Sequence, residues 1–415
     1  MKLRQDAELI IREAIQKVLP DESVRKVLTG EEFAPYLKTT GKIYVVAVGK
    51  AAWKMAQAAG ETLGEHLERG IVLTKYHHVE GDIPGMQCLE AGHPIPDENS
   101  FKGTRQILEL TEHLNKEDIV LFLLSGGGSA LFESPLIPPE ELEDITRRLL
   151  ACGADIREIN TIRKRLSGVK GGRFAKHCEP ARIFSIVLSD VLGDPLDMIA
   201  SGPASPDRST SQEAMEIIEK YQIQVSSRTS ELLQCETPRT LENVTSVISG
   251  NVKALCDSAR ETCEKLGYRV MVLTDQLSCE AKEAGAFLAA IAKTYRIPET
   301  KMAFVLGGET VVHLKGAGKG GRNQELALSA AIGMDGLTNV ALFSIGSDGT
   351  DGPTDAAGGY VDGFTKKCLS EQGIDTYQEL ENNNAYAALE KSGGLIITGP
   401  TGTNVNDLTV LLIEP

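Results

Sequence analysis

Asp118-Ile119-Val120-Leu121-Phe122-Leu123-Leu124-Ser125-Gly126-Gly127-Gly128-Ser129 runs from an apolar stretch straight into three consecutive glycines. A strand that is apolar at every position, not at alternate ones, has both faces covered, as in a parallel sheet with helices on either side. The same rhythm recurs upstream. Residues 43–49 read as a buried strand, 50 to about 67 as a helix, 70–74 as a strand and 100–114 as a helix. Downstream, helical patterns at 139–152 and 155–166 lead to another strand at 183–188. Apolar runs alternating with helices predict an α/β fold.

Residues 205–245 are polar, with Ser/Thr-rich pieces and Pro206 and Pro238, and the rhythm then restarts. At 415 residues the chain is too long for one ordinary core, so two domains are expected, 1–240 and 241–415. In the second, strands are expected at 244–249, 268–274, 340–345, 395–398 and 408–413. Residues 301–307 and 310–315 read as adjacent strands, and helices are expected at 252–266 and 280–295.

Hydrophobic residues make up 41% and charged residues 24%, the balance of a soluble globular protein. No apolar run approaches the roughly 18 residues of a membrane span. The opening Met1-Lys2-Leu3-Arg4-Gln5-Asp6-Ala7-Glu8 lacks an apolar signal core and reads as the start of an amphipathic helix, so the expected compartment is the cytoplasm. A net charge of −15 argues against nucleic acid and anionic membranes as partners. It also repels a nucleotide at long range, so any phosphate must be attracted locally, by glycine turns, a few cations and a divalent metal. The eight cysteines include no Cys-x-x-Cys pair, and reduced core thiols are expected, Cys256 and Cys263 among them.

In open α/β sheets ligands gather beyond the carboxyl ends of the strands. Lys50 follows the strand at 43–49, the 125–129 turn follows 118–124, and Ser189-Asp190 follows 183–188. In the second half Gly346-Ser347-Asp348-Gly349-Thr350-Asp351-Gly352 and Gly399-Pro400-Thr401-Gly402-Thr403-Asn404 hold equivalent places. Such loops suggest a cleft between the two domains. Three glycines in a row let backbone N–H groups approach an anion closely, and flanking serines add hydroxyls, so the 125–129 turn points to phosphate over a plain strand–helix connection. Lysines are mostly solvated surface residues, but small neighbours around Lys50 leave room for a ligand. Asp190, with Asp194 and Asp197, offers a proton acceptor or an oxygen ligand for Mg²⁺, against a turn or cap role. Asp348, Asp351 and Asp355 are divided evenly between turn formation and metal binding. His93, in Gly92-His93-Pro94-Ile95-Pro96-Asp97, sits on a stiff loop with no serine elbow nearby to suggest a hydrolase.

Gly316-Ala317-Gly318-Lys319-Gly320-Gly321 fits G-x-G-x-x-G, but it comes late in the chain, after a strand pair. It also lacks the acidic residue that would bind a ribose. Neither glycine stretch is a G-x-x-x-x-G-K-[ST] loop. Arg322, opening the next helix, can fork around a carboxylate or phosphate.

Taken together these stretches resemble the glycerate 2-kinases of the MOFRL family. The matching segments include Val46-Ala47-Val48-Gly49-Lys50, Ala91-Gly92-His93-Pro94, the 124–130 turn and Asn160-Thr161-Ile162-Arg163-Lys164. They continue through Lys170-Gly171-Gly172-Arg173, Leu188-Ser189-Asp190, Ser201-Gly202-Pro203, Gly307-Gly308-Glu309-Thr310, and residues 320–326, 347–359 and 398–407. The resemblance implies a Rossmann-like N-terminal domain with a three-layer parallel sheet, a smaller mixed-sheet α/β domain, and an active site in the cleft between them. It implies ATP and Mg²⁺ as cofactors and D-glycerate as substrate, phosphorylated on its 2-hydroxyl; a monomer or homodimer is expected. It points to Lys50 and Arg322 as catalytic, and beside them Asp190 is the candidate for accepting the hydroxyl proton or binding Mg²⁺ through water. Ser125, Gly126, Gly127, Gly128 and Ser129, with Glu309, Asn323, Asp348, Asp351 and Asn404, are the nucleotide-binding candidates. Two rivals stand beside this reading: an NAD(P)-dependent hydroxypyruvate reductase and a non-catalytic nucleotide or sugar-acid sensor.

Overall fold

The computed structural model describes residues 2–296 and 299–415, so Met1 of the expected first helix lies outside the described residues. The chain divides into two compact units, Pro20–Ser249 and the residues up to Leu19 together with Gly250–Pro415. The first helix, Lys2–Lys17, therefore belongs with the C-terminal segment and not with the domain it opens in sequence. Its apolar stripe, Ile10, Ile11, Ala14 and Ile15, is buried, and the helix packs on helix Val252–Lys265.

The unit Pro20–Ser249 is built on a six-stranded sheet. Its strands are β1 (Ile43–Val48), β2 (Leu67–Lys75), β3 (Met86–Ala91), β4 (Ile119–Leu124), β5 (Arg182–Leu188) and β6 (Val244–Gly250). Their order is β3-β2-β1-β4-β5-β6, and the pairs from β3 through β5 are parallel. The continuous apolar runs follow from cover on both faces. Phe122 packs with Phe132 and Phe174 on one side. Phe184, in register with Leu121 and so on the other side, packs against Phe33 and Tyr36. Each such phenylalanine contributes about 1.5–3 kcal/mol by leaving water.

The other sheet is mixed, as the family resemblance implies. Its strands are β7 (Arg269–Leu277), β8 (Met302–Gly308), β9 (Val340–Gly346), β10 (Gly358–Asp362), β11 (Leu395–Ile396) and β12 (Asp407–Ile413), in the order β11-β10-β9-β12-β8-β7. Only β7 and β8 pair in parallel, and β12 lies antiparallel between β8 and β9. Leu306 belongs to the core formed with helices Ala281–Thr294 and Arg322–Met334. The neighbouring Gly307 lies against Cys256 and Val252 of helix Val252–Lys265, so helices cover both faces. Cys178, Cys256 and Cys263 are buried thiols, pushed up to about 12 by burial, and behave as core residues.

Several local expectations change. Residues 310–315 form no strand: Val311 makes an isolated bridge to Glu280, Leu314 is 82% exposed, and the N–H of Lys315 is taken by the Asn383 side chain. β11 is two residues long. The polar stretch 205–245 contains helices Ser211–Lys220 and Ser227–Leu233, capped by Thr210 and Ser226. Their few apolar residues, Ala214, Ile217, Ile218, Leu232 and Leu233, pack with Ile145, Leu149 and Ile162 into a satellite core. No helix among the described residues is long and apolar enough to cross a membrane.

Candidate active site

In the order β3-β2-β1-β4-β5-β6, β1 and β4 are neighbours whose connections leave to opposite sides. That point is where a doubly wound sheet opens a crevice. The loops after β1 and β4 are tied together at this point. Ser125 N–H donates to Val48 O (3.0 Å), Lys50 N–H to Gly126 O (2.8 Å), and Ala51 N–H to Ser125 Oγ (3.1 Å). Thr74 Oγ1 donates to Gly49 O from the β2 side (2.9 Å). The chain passes so closely that a Cβ at Gly49 would lie 2.2 Å from Ser125 Oγ, and its φ of +124° excludes other residues as well.

Polar side chains from three other strand ends border the turn. A Cβ at Gly126 would lie 2.1 Å from Asp190 Oδ2, so the absence of a side chain there makes room for the carboxylate that follows β5. A Cβ at Gly127 would lie 3.1 Å from His93 Nε2 and 3.2 Å from Lys50 Cγ. Lys50, Asp190 and His93 thus converge on Gly126 and Gly127. Lys50 makes no ion pair among the described residues. The His93 ring is half-buried, and burial, followed by Lys50, Lys75 and His78, holds its pKa below the ordinary histidine value. Both effects favour the neutral ring. Asp197 is instead an ion-pair partner of the buried Lys164 (3.1 Å), and Asp194 sits in a left-handed turn with φ +51°.

In the other unit the charged residues are bound to one another. Arg322 Nε and Nη2 donate to Asp407 Oδ2 and Oδ1 (2.6 and 2.9 Å), while Nη1 reaches Glu309 Oε1 (3.1 Å). Asn406 Nδ2 donates to the second Glu309 oxygen (3.3 Å). Burial works against charge on Arg322, but Asp407 and Glu309 raise it above the ordinary arginine value. Burial pushes Asp407 up to about 6, with the Arg322 fork opposing, so the pair is ionised at neutral pH. Asp351 is buried at the start of helix Arg322–Met334, where the N–H groups of Asn323 and Gln324 donate to its two oxygens (3.1 and 2.9 Å). Burial raises its pKa and those donors oppose the rise. Asn323 Oδ1 accepts from Ser344 Oγ (2.6 Å). Asp348 receives Thr350 N–H in a tight turn (2.9 Å), Asp355 accepts from Tyr386 Oη (2.8 Å), and Asn404 lies half-buried in the loop before β12. No group of three or more His, Cys, Asp or Glu residues able to hold a metal ion occurs among the described residues.

The G-x-G-x-x-G stretch is filled by its own chain. The N–H groups of Lys315 and Gly316 donate to Asn383 Oδ1 (2.7 and 3.0 Å), that of Ala317 to Asn382 Oδ1 (3.2 Å) and that of Lys319 to Asn384 Oδ1 (3.1 Å). A pyrophosphate would have to displace this asparagine ladder.

Asp407 has no role in the sequence reading, although a signal was present. An acidic residue opening the apolar run Asp407-Leu408-Thr409-Val410-Leu411-Leu412-Ile413 must be buried and must find a cation.

Comparison with known proteins agrees along the whole chain. Residues 6–234 match a domain described as of unknown function (DUF4147), and residues 302–407 match the MOFRL family. A D-glycerate 2-kinase of Thermotoga maritima is 53% identical over 417 residues, covering 99% of this chain and 98% of that protein. A glycerate 2-kinase of Pyrococcus horikoshii is 40% identical over 439 residues, covering 100% and 98%. The crystal structure of glycerate kinase from Thermotoga maritima superposes with a TM-score of 0.95 at 53% identity, covering 99% of each chain. Family domains, full-length identity and a shared fold lead to one conclusion: this chain belongs to the MOFRL family of glycerate 2-kinases.

Proposed function

We propose that this chain is an ATP-dependent glycerate 2-kinase, transferring the γ-phosphoryl group of ATP to the 2-hydroxyl of D-glycerate. The observation that carries the site assignment is the convergence of Lys50 and Asp190 on the side-chain-free turn at Gly126 and Gly127. Backbone N–H groups from Gly126 to Ser129 hold the phosphates, with Ser125 fixing the turn to the loop after β1. Lys50, without an ion pair among the described residues, neutralises charge on the transferring phosphoryl group. Arg322, held in orientation by Asp407 and Glu309, directs its partly exposed guanidinium to the glycerate carboxylate or to phosphate. The 2-oxygen of glycerate forms the new bond to phosphorus, the bond to the ADP oxygen breaks, and Asp190 accepts the hydroxyl proton.

Mg²⁺ fits this donor set in one way. A single carboxylate beside the turn, with no cluster of three ligands among the described residues, suits an ion held chiefly by phosphate oxygens and water. In that alternative role Asp190 would hold it through water instead of taking the proton, and when bound the ion supplies neutralisation of phosphate charge. Asn323, Asp348, Asp351 and Asn404 serve the site by shaping its loops; Asp351 does so as the cap of the helix that carries Arg322. ATP as phosphoryl donor suits the cytoplasm, and the chain acts as a monomer or homodimer.

Incubation with ATP, Mg²⁺ and D-glycerate tests the reading by formation of ADP and 2-phosphoglycerate. NAD(P)H oxidation with hydroxypyruvate and no ADP would favour the reductase, and binding without turnover the sensor. The asparagine-filled 316–321 stretch argues against the reductase.

A further inference from the structure

Asn160-Thr161-Ile162-Arg163-Lys164 and Ser201-Gly202-Pro203 have no part in the chemistry above, yet Ser201 reaches the glycine turn and Asn160 reaches Ser201. Ser201 Oγ donates to Asn160 Oδ1 (2.9 Å) and lies 3.1 Å from Ser129 Oγ. Asn160 is 3% exposed and Ser201 is fully buried. A hydroxyl carries one proton. Since Ser201 gives its proton to Asn160, Ser129 is the donor to Ser201. The Ser129 hydroxyl is therefore committed to this chain of bonds, and its contribution to a phosphate is its backbone N–H.

The backbone around Ser201 is strained in the same place. Ala200, Ser201 and Gly202 have φ of +49°, +61° and +66°, three left-handed residues in succession, and only the last is glycine. Crosslinks enforce the conformation: Gly171 N–H donates to Ser201 O (3.0 Å) and Gly172 N–H to Gly202 O (2.7 Å). Ala200 presses on the turn, since a Cβ at Gly128 would come within 2.6 Å of Ala200 Cβ. Non-glycine residues kept in left-handed conformations by surrounding bonds mark a site where the side chain itself is needed.

We infer that Asn160 and Ser201 are positioning residues, which through Ser129 Oγ hold the 125–129 turn in the form that receives the ATP phosphates. The inference rests on the reading of that turn as the phosphate site. Glycine and alanine at 201 test it together, because both remove the hydroxyl while only glycine relieves the left-handed strain. In both Ser201→Gly and Ser201→Ala the KM for ATP should rise about tenfold, as for one lost neutral hydrogen bond, with the KM for D-glycerate changed less than about twofold. Thermal midpoints should instead separate the two variants, with Ser201→Gly the more stable. A wild-type KM for ATP in Ser201→Gly, or KM shifts that merely track thermal stability, would overturn the inference. A rise confined to glycerate would remove ATP from the turn and the inference with it. A wild-type enzyme that makes no ADP would instead overturn the kinase reading itself.

Discussion

The glycine turn of the unit Pro20–Ser249 and the arginine cluster of the other unit manage charge in opposite ways. Around Gly126 and Gly127 the chain removes side chains, leaves Lys50 without an ion pair among the described residues and keeps His93 neutral. Around Arg322 the chain satisfies its own charges, with a two-pronged bond to Asp407 and a third contact to Glu309. On the proposed reading, the first arrangement is completed by a bound anion. The second is complete in itself, with the guanidinium fixed by Asp407 and Glu309. The open site should thus be the more sensitive in catalysis and the less sensitive in folding, and the closed cluster should show both effects.

Lys50→Ala tests the open half and should give the largest effect. A transition-state charge contact predicts a loss in kcat of about 10²-fold or more with the melting temperature almost unchanged. Steady-state kinetics beside calorimetry would read both. Arg322→Ala should lower kcat comparably and also destabilise the fold by on the order of 2 kcal/mol, because Asp407 loses its partner; the cost is less than for a fully buried pair because Arg322 is partly exposed. A stable, active Arg322→Ala variant would erase the contrast.

The third prediction uses pH. Burial raises folded Asp407 to about 6, whereas an unfolded aspartate titrates near 3.9. Folded protein therefore binds a proton that the unfolded chain has released. The stabilising contribution is complete below about pH 4 and is lost as pH rises through about 6. Relative to the non-titrating Asp407→Asn, wild type should lose on the order of 2 kcal/mol across that window in urea unfolding, and a constant difference would contradict the assignment. The smallest effect is expected at the asparagine ladder. Asn383 has φ +54°, so Asn383→Gly keeps the backbone at ease and removes only the side chain that receives Lys315 and Gly316 N–H. It should cost about 1–2 kcal/mol in chemical denaturation and leave NADH unbound.

Legibility in the sequence follows the same division. The open site could be read because its signals are local: an unbroken apolar strand, then glycines, then a lysine or aspartate at the next strand end. The doubly wound order puts those ends side by side, so Lys50, Asp190 and the 125–129 turn come together as the pattern suggests. The arginine cluster depends on partners far apart in sequence, and nothing near Arg322 announces Asp407, 85 residues later. Asp351 shows the same limit, since a Gly/Asp-rich loop reads alike whether its carboxylate faces a ligand or caps a helix. Helices Ser211–Lys220 and Ser227–Leu233 were hidden because their narrow apolar faces lie in a polar stretch. The packing of Lys2–Lys17 with the far end of the chain has no local signal at all.

The central claim is that Lys50 and the side-chain-free turn complete their charge balance with the phosphates being transferred. Phosphorus NMR of wild type and Lys50→Ala, each with ATP, Mg²⁺ and D-glycerate, tests it directly. The account predicts paired growth of ADP and 2-phosphoglycerate signals in wild type and their near absence in folded Lys50→Ala. Formation of 3-phosphoglycerate, or equal rates in the two proteins, would contradict it.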